Sequence, residues 1–176
     1  MPELPDITVY VEALATRTGG QVLERVRIAS PFLLRSVIPP IGAAEGRRVL
    51  AVRRLGKRIA FALEDGLFLV LHLMIAGRLH WREPGVKVPA KVGMAALDFP
   101  NGSVLFTEAG TKKRAWLRLV QGEAELQAQD PGGVEVLEAD LPRFQAALAA
   151  ENHTVKRALT DPRLFSGIGN PYPELL

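Results

Sequence analysis

The first six residues, MPELPD, place a nucleophile next to an acid. Initiator methionine is usually removed when the second residue is as small as proline, and Pro2 would then carry a free secondary amine. An α-amino group has an unperturbed pKa of roughly 7.7–8.0, so part of it is unprotonated at neutral pH. Secondary amines attack aldehydes and the C1′ carbon of sugars to give iminium ions. Glu3 could act as a general acid on a sugar oxygen or shuttle protons.

The same residues also fit a purely structural role. Pro2 and Pro5 stiffen the entry to a helix, and Glu3 and Asp6 favour its positive end. On the hexapeptide alone, this structural role is favoured over catalysis.

Basic residues are concentrated in two short segments. Six cations and no acid fall within twelve residues: Arg47, Arg48, Arg53, Arg54, Lys57 and Arg58. A second basic group comprises Lys112, Lys113, Arg114 and Arg118, whereas residues 121–140 carry six acids and no base. Such segregation is typical of a polyanion-binding surface. A solvated strand face followed by an acidic linker explains it equally well.

The composition excludes several classes of protein. The 176 residues are 48% hydrophobic, enough for a buried core, and carry a net charge of +3. There is no cysteine, so the sequence predicts no disulfide and no cysteine-based zinc site. No signal-peptide pattern opens the chain, and the longest apolar stretch, residues 67–73, is too short to cross a bilayer. The sequence therefore predicts a soluble cytoplasmic protein.

The elements that must position the N-terminus are mostly strands. A helix is predicted from Pro5 and Asp6 to a stop at Gly19 and Gly20. QVLERVRIAS alternates like one strand. RVLAVRRL, RIAFAL and LFLVLHL predict three more, separated by turns at residues 56–57 and 64–66. MAALDF and VLFT flank a turn at residues 100–102, and RAWLRLV predicts a further strand.

The pattern becomes helical after the turn residues 130–133. Asp140 can cap DLPRFQAALAAE, and Thr154 can cap VKRALTD. The sequence thus predicts an antiparallel β domain with one N-terminal helix, followed by the start of a helical domain.

Other conspicuous side chains are expected to be structural. Trp81 and Trp116 are interpreted as packing residues rather than as platforms on which bases stack. His72 and His80 alternate with apolar residues in strands, and no set of metal ligands accompanies them.

Four segments together resemble the formamidopyrimidine-DNA glycosylase / endonuclease VIII (Fpg/Nei) family of bifunctional base-excision-repair enzymes. They are MPELPD, the lysine of LGKR, HLMIAGRL and GIGN, in the family's order along the chain. The family opens with MPELPEVE or close to it, so five of the first six residues match. The resemblance implies an α+β fold: an antiparallel β-sandwich with an N-terminal helix in residues 1–130, a linker in 131–139, and the beginning of an all-α helix–two-turns–helix DNA-binding domain in 140–176.

The resemblance also implies roles for individual residues. Pro2 matches the nucleophile that attacks C1′ of the damaged nucleotide and forms a Schiff base. Glu3 matches the acid that assists opening of the deoxyribose ring. Lys57 matches a lysine at a hairpin tip that contacts DNA phosphate and assists base release. Lys156 and Asn170 match residues that contact the phosphate backbone near the lesion.

The implied partner is double-stranded DNA containing damaged bases or abasic sites, bound by a monomer associated with the nucleoid. No cofactor is implied within this chain. Family members with the full C-terminus bind a structural zinc ion in a finger that this sequence lacks.

Several positions depart from the family pattern. Asp6 replaces the usual glutamate, a change that we expect to be tolerated. Ile75 stands where many members carry a methionine that fills the gap left by the flipped nucleotide, and its bulk suits the same role. EAGTKKRAW replaces the arginine–phenylalanine loop that contacts the opposite base. Lys112, Lys113 and Arg114 preserve the charge of that loop and are candidate DNA contacts.

The end of the chain departs further. Pro171 and Pro173 alter the segment that follows GIGN, and the remaining helices and the zinc finger are missing. We expect the chain to be a fragment or a truncated product with impaired DNA binding.

Three hypotheses for function follow. The first is a DNA glycosylase with abasic-site lyase activity. The second is a non-catalytic nucleic-acid-binding relative. The third is an enzyme that uses Pro2 as a base, as proline-dependent tautomerases do, but it explains neither the basic hairpin nor GIGN.

Overall fold

The computed structural model describes residues 1–169. Its helices are α1 (Leu4–Thr18), α2 (Glu123–Gln127), α3 (Leu141–Ala149) and α4 (Val155–Thr160), with 3₁₀ turns at Ile41–Ala44 and Glu64–Gly66. Its strands are β1 (Val22–Leu23), β2 (Arg25–Ile28), β3 (Arg47–Leu55), β4 (Arg58–Leu63), β5 (Leu67–His72), β6 (Gly77–Arg82), β7 (Gly93–Phe99), β8 (Gly102–Glu108), β9 (Trp116–Gln121), β10 (Val134–Glu135) and β11 (Phe165–Ser166).

Two antiparallel sheets form a sandwich. One has the strand order β1-β3-β4-β5-β9 and the other β2-β7-β8-β6. Alternating side chains of both sheets meet in one core, where the rings of Phe61 and Phe99 lie 6.5 Å apart. This arrangement confirms the predicted antiparallel sandwich, because sheets with one apolar face bury it against each other.

Helix α1 holds the N-terminus against this sandwich. Pro5 occupies its first turn, and the carboxylate of Asp6 accepts a 2.9 Å hydrogen bond from the backbone amide of Glu3. Ile7 and Leu14 are buried in the sandwich core. The predicted helix is therefore confirmed, and its packing fixes the position of the residues that precede it.

Most predicted strands are confirmed, but QVLERVRIAS is not one strand. It forms β1 and β2, which belong to different sheets. The amide of Glu24 donates to the carbonyl of Asp98 in β7, whereas the carbonyl of Leu23 accepts from Gly46 before β3. The chain therefore crosses between the two sheets at residues 23–24, which the alternation of side chains alone does not reveal.

The C-terminal part contains both predicted helices. Asp140 caps α3 by accepting a 2.9 Å hydrogen bond from the amide of Arg143. Thr154 caps α4 through the amide of Arg157 at 3.4 Å. Residues 131–139, predicted as a linker, include β10, which pairs in parallel with β11. This pairing holds residues 165–166, which precede Asn170, against residues 134–135.

The helices of the described chain include none that is both long and apolar enough to span a membrane.

Candidate active site

The N-terminal pair Pro2 and Glu3 lies inside the protein rather than on its surface. Pro2 is buried, and Glu3 is only 2% exposed. The carboxylate of Glu3 faces the backbone amides of Asp6 and Gly169 and lies near the charge of Lys57. A buried carboxylate next to a lysine is typical of a functional site.

Lys57 projects from the turn that joins β3 to β4 and faces this pair. Gly56 adopts a φ of 58°, which allows the two-residue turn to close. The predicted hairpin tip is therefore confirmed. Lys57 does not reach outward into solvent, however: its side chain is partly buried and interacts electrostatically with Glu3.

Burial disfavours the charged forms of Glu3 and Lys57 and shifts both pKa values accordingly. The pKa of Glu3 is raised by burial, which outweighs the opposing charges of Lys57 and the N-terminus; Asp6 raises it further, and the Gly169 backbone amide lowers it. The pKa of Lys57 is lowered by burial, and the negative charge of Glu3 opposes that shift. Such perturbed neighbours suit proton transfer, since Glu3 retains a proton more readily than an exposed glutamate does.

A cavity of about 280 Å³ lies beside these residues. The sandwich contributes one wall and the segment around β11 the other; the lining residues are Met1, Gly56, Lys57, Arg58, His72, Met74, Pro131, Pro162, Ser166 and Gly167. A smaller cavity of about 100 Å³ is lined by Met1, Pro2, Asp6, Tyr10 and Arg78. Met1 borders both cavities, so it covers the approach to Pro2.

His72 and Trp116 form the wall behind Lys57. Their rings stack 5.5 Å apart at 11°, and the guanidinium groups of Arg58 and Arg118 lie 5.6 and 5.0 Å from the Trp116 ring. The packing role predicted for Trp116 is confirmed. Burial, aided by the charges of Arg58, Lys57 and Arg35, lowers the pKa of His72 to about 4. His72 is therefore neutral at physiological pH, and its Nδ1 accepts from the Met74 amide at 3.2 Å.

The basic run of residues 47–58 is not a free polyanion-binding surface. Four of its arginines pair with acids: Arg47 with Asp65 at 2.5 Å, Arg48 with Glu64 at 3.9 Å, Arg53 with Glu123 at 2.7 Å and Arg54 with Glu135 at 2.5 Å. The acids that are distant in sequence thus neutralise these arginines in space. Lys57 and Arg58 are the members of this run that line the cavity.

The loop between β8 and β9 is held in place by the side chain of Glu108. The buried carboxylate of Glu108 accepts hydrogen bonds of 2.9–3.2 Å from the backbone amides of Arg114 and Ala115. The ammonium of Lys113 turns back to the carbonyl of Glu108. Lys112 and Arg114 are exposed and available to a partner, so the predicted charge of this loop lies mainly on those two residues.

The remaining predicted contacts are scattered. Ile75 is 53% exposed in the turn between β5 and β6, next to Met74 of the cavity wall. Lys156 is exposed on α4 and does not line the cavity. Asn170 lies outside the described residues, as do Pro171 and Pro173.

One group within residues 1–169 brings three potential metal ligands within 4.8 Å of one another: Glu151, His153 and Asp161. His153 lies 2.6 Å from Glu151, and Arg163 lies 2.6 Å from Asp161. These contacts account for the grouping of the three side chains.

Sequence reasoning missed several residues of the site. The alternation of side chains predicts His72 only as a strand residue, although it belongs to HLMIAGRL and lines the cavity. Gly167 adopts a φ of 83°, and its carbonyl accepts a 3.0 Å hydrogen bond from Leu4. Gly167 and Gly169 are the glycines of GIGN, so the motif itself carried a signal for close backbone approach to the N-terminus.

The sequence and the fold of this chain match a known protein family. The family model for the formamidopyrimidine-DNA glycosylase N-terminal domain matches residues 1–168. The chain belongs to this family, as the resemblance of its motifs predicted.

Individual relatives agree. The formamidopyrimidine-DNA glycosylase of Variovorax paradoxus is 33% identical over 182 residues, which cover 98% of this chain and 64% of the relative. That of Heliobacterium modesticaldum is 29% identical, covering 99% of this chain and 65% of the relative. This chain therefore spans about 65% of the length of the curated relatives that it matches.

Solved structures share the fold. The MutM (Fpg) protein of Thermus thermophilus has a TM-score of 0.78 at 30% identity, covering 97% of this chain and 61% of that chain. A Lactococcus lactis Fpg mutant in complex with a Fapy-dG containing DNA has a TM-score of 0.84 at 21% identity, covering 97% of this chain and 64% of that chain. These structures confirm the predicted fold class.

Proposed function

We propose that this chain is the catalytic part of a DNA glycosylase with abasic-site lyase activity that acts in base excision repair. The observation that carries the proposal is the buried Pro2–Glu3 pair facing Lys57 beside a cavity lined by cations. The named relatives are formamidopyrimidine-DNA glycosylases, and one solved neighbour is bound to a Fapy-dG containing DNA. Both support damaged DNA as the partner.

Removal of Met1 prepares the nucleophile. While Met1 is attached, the nitrogen of Pro2 belongs to an amide and cannot attack. Met1 also borders both cavities, so its removal leaves the Pro2 amine where the two cavities meet. The damaged nucleotide must be turned out of the duplex to reach this amine, because its C1′ atom is otherwise inaccessible.

Bond changes then proceed in two stages. The Pro2 nitrogen attacks C1′, and the electron pair of the glycosidic bond leaves with the base, which takes up a proton. Glu3 donates a proton to the ring oxygen of the sugar, so that the ring opens and an iminium ion forms. The iminium acidifies C2′, and loss of its proton expels the 3′ phosphate by elimination. Water then releases Pro2 from the cleaved strand.

The other residues of the cavity wall bind and orient the DNA. Lys57 and Arg58 supply positive charge for a phosphate, and Lys57 also stabilises the ionised form of Glu3 after it has given up its proton. His72 is neutral and accepts at Nδ1, which leaves the proton on Nε2 for donation. Ile75, which is 53% exposed next to the cavity wall, is our candidate to fill the gap in the duplex.

Borohydride trapping tests this proposal. The Met1-processed chain is incubated with a duplex that contains one abasic site, and borohydride reduces any iminium to a stable protein–DNA adduct. We expect an adduct, together with base release from a Fapy-dG duplex. DNA binding without an adduct would favour a non-catalytic relative, and failure of both would contradict a DNA-directed function.

A further inference from the structure

A carboxylate remote in sequence is tied to the turn that carries Lys57. Arg54 precedes this turn on β3, and its Nη2 donates to Oε2 of Glu135 at 2.5 Å. Its Nη1 donates to Oε1 of Glu135 at 3.2 Å and to the carbonyl of Gly56 at 3.1 Å. The guanidinium therefore holds the turn and Glu135 together in a two-pronged contact, the strongest form of this pair.

The same carboxylate is also tied to the opposite wall of the cavity. The hydroxyl of Ser166 donates to Oε1 of Glu135 at 2.5 Å, and the two residues pair in register between β10 and β11. The next residue, Gly167, accepts from the amide of Leu4, and Gly169 packs against Glu3. A continuous series of contacts thus runs from the Lys57 turn through Glu135 to the N-terminal pair.

Backbone pairing alone is too weak to hold this connection. β10 and β11 contribute two residues each, and so small a sheet is marginal in water. The contacts of the Glu135 side chain are partly buried, where hydrogen bonds to a charged group are strong. Burial acts to raise the pKa of Glu135, but hydrogen bonds from Arg54 and Ser166 prevail and lower it, so Glu135 stays ionised at neutral pH.

We propose that Glu135 is a positioning residue, which fixes the Lys57 turn and the segment of Gly167 and Gly169 at a set separation on opposite sides of the cavity. This inference rests on the proposed function for its catalytic consequence. Glu135 does not touch the DNA in this account. Its loss therefore slows the chemical step, and it weakens DNA binding only through the phosphate contact of Lys57.

The neighbouring residue of β3 supplies a matched control. Arg53 donates to both oxygens of Glu123 at 2.9 and 2.7 Å, which is the same kind of glutamate–arginine pair. This pair is exposed and neither residue lines the cavity. Glu123→Gln removes the same charge and breaks the same kind of arginine pair as Glu135→Gln, but away from the cavity.

The first measurement is single-turnover base release from a Fapy-dG duplex at saturating enzyme. We expect Glu135→Gln to lower the rate by about tenfold or more, because misplacement by an ångström or less can cost that much. The Kd for the duplex should weaken by no more than the loss of one phosphate contact, and Glu123→Gln should match wild type in both rate and Kd. An unchanged rate for Glu135→Gln in an active enzyme would overturn the inference while leaving the proposed function intact.

The second measurement needs no activity. The carboxyl pKa of Glu3 is followed by ¹³C NMR titration, with Lys57, the N-terminus, Asp6 and the Gly169 amide as the groups that act on it. We expect the pKa of Glu3 to rise in Glu135→Gln, because Lys57 then moves away from Glu3, and to stay unchanged in Glu123→Gln. If Glu135→Gln fails to fold, Ser166→Ala replaces it in the titration. Ser166→Ala removes a single hydrogen bond to Glu135 and should give a smaller rise in the Glu3 pKa. A Glu3 pKa equal to that of wild type would overturn the inference whether or not the chain is an active glycosylase.

Discussion

Gly169 lies so close to Glu3 that a Cβ atom at position 169 would overlap Oε1 of the glutamate and lie 2.8 Å from its Cδ. The Glu3 side chain is only 2% exposed, and its Cδ as well as its Oε1 would be too close to the added Cβ, so the whole carboxylate must shift. We predict that Gly169→Ala displaces the carboxylate and lowers the single-turnover rate of base release on the order of a hundredfold, the loss that a misplacement of about 1 Å can cause.

Gly42→Ala is the control for this prediction. A Cβ atom at Gly42 meets nothing within 4 Å, so its rate should equal that of wild type. Wild-type base release by Gly169→Ala would show that contact with Gly169 does not place Glu3.

Glu3→Gln should stabilise the chain while it strongly slows base release. The pKa of Glu3 is raised in the folded chain, chiefly by burial, so its ionised form opposes folding. This destabilisation begins as the pH rises through the unfolded pKa, about 4.3, and is complete above the folded pKa. The neutral amide avoids it, so the Tm of Glu3→Gln should exceed that of wild type increasingly as the pH rises above that unfolded pKa.

Thermal unfolding across pH, with the exposed Glu12→Gln as control, tests this prediction. Base release by Glu3→Gln should fall on the order of a hundredfold for the lost general acid. A lower Tm than wild type at pH 7 would mean that the Glu3 charge stabilises the fold and that its role is structural.

Lys112 and Arg114 should contribute to DNA affinity through phosphate contacts. Both are exposed on the loop anchored by Glu108. Replacement of either residue by alanine should reduce the slope of log Kd against log salt by about one. Arg53→Ala should leave the slope unchanged, because Arg53 already pairs with Glu123. Equal reductions of this slope for Arg53→Ala and Lys112→Ala would show that residues 47–58 bind DNA despite their ion pairs.

His72 should make the fold sensitive to acid. Its pKa is lowered to about 4 in the folded chain, so its unfolded form binds protons first as the pH falls. The stability that neutral His72 provides is complete above about pH 6.5 and is lost as the pH falls toward 4, by about 3 kcal/mol. Urea unfolding of His72→Asn should show a correspondingly smaller loss between pH 7 and 4; identical pH curves would contradict this.

The sequence was a good guide where local chemistry determines structure. Pro5 and Asp6 lie in the first turn of α1 and Asp140 caps α3, as the sequence predicts, and Gly56 gives the turn that carries Lys57. The catalytic role predicted for the N-terminal pair came from the resemblance of four motifs to a known family, because the hexapeptide alone favours a structural role.

Contacts between distant segments could not be predicted in this way. The pairing of Arg54 with Glu135 joins residues 81 positions apart, and nothing in residues 131–139 distinguishes β10 from a linker. The segregation of charge in the sequence suggested an open basic face, whereas folding brings the acids onto the arginines. Burial of Glu3 likewise follows from tertiary packing and not from its neighbours in sequence.

The position of the covalent adduct tests the central claim most directly. Two amines are candidates for attack on C1′, the Pro2 nitrogen and Lys57, whose pKa is lowered by burial. The adduct trapped by borohydride on abasic-site DNA is digested with trypsin and nuclease and mapped by mass spectrometry. The account predicts the modification on Pro2, and its loss from that position in Pro2→Gly and in a chain that retains an N-terminal extension. An adduct on Lys57, or undiminished trapping by the extended chain, would contradict the account.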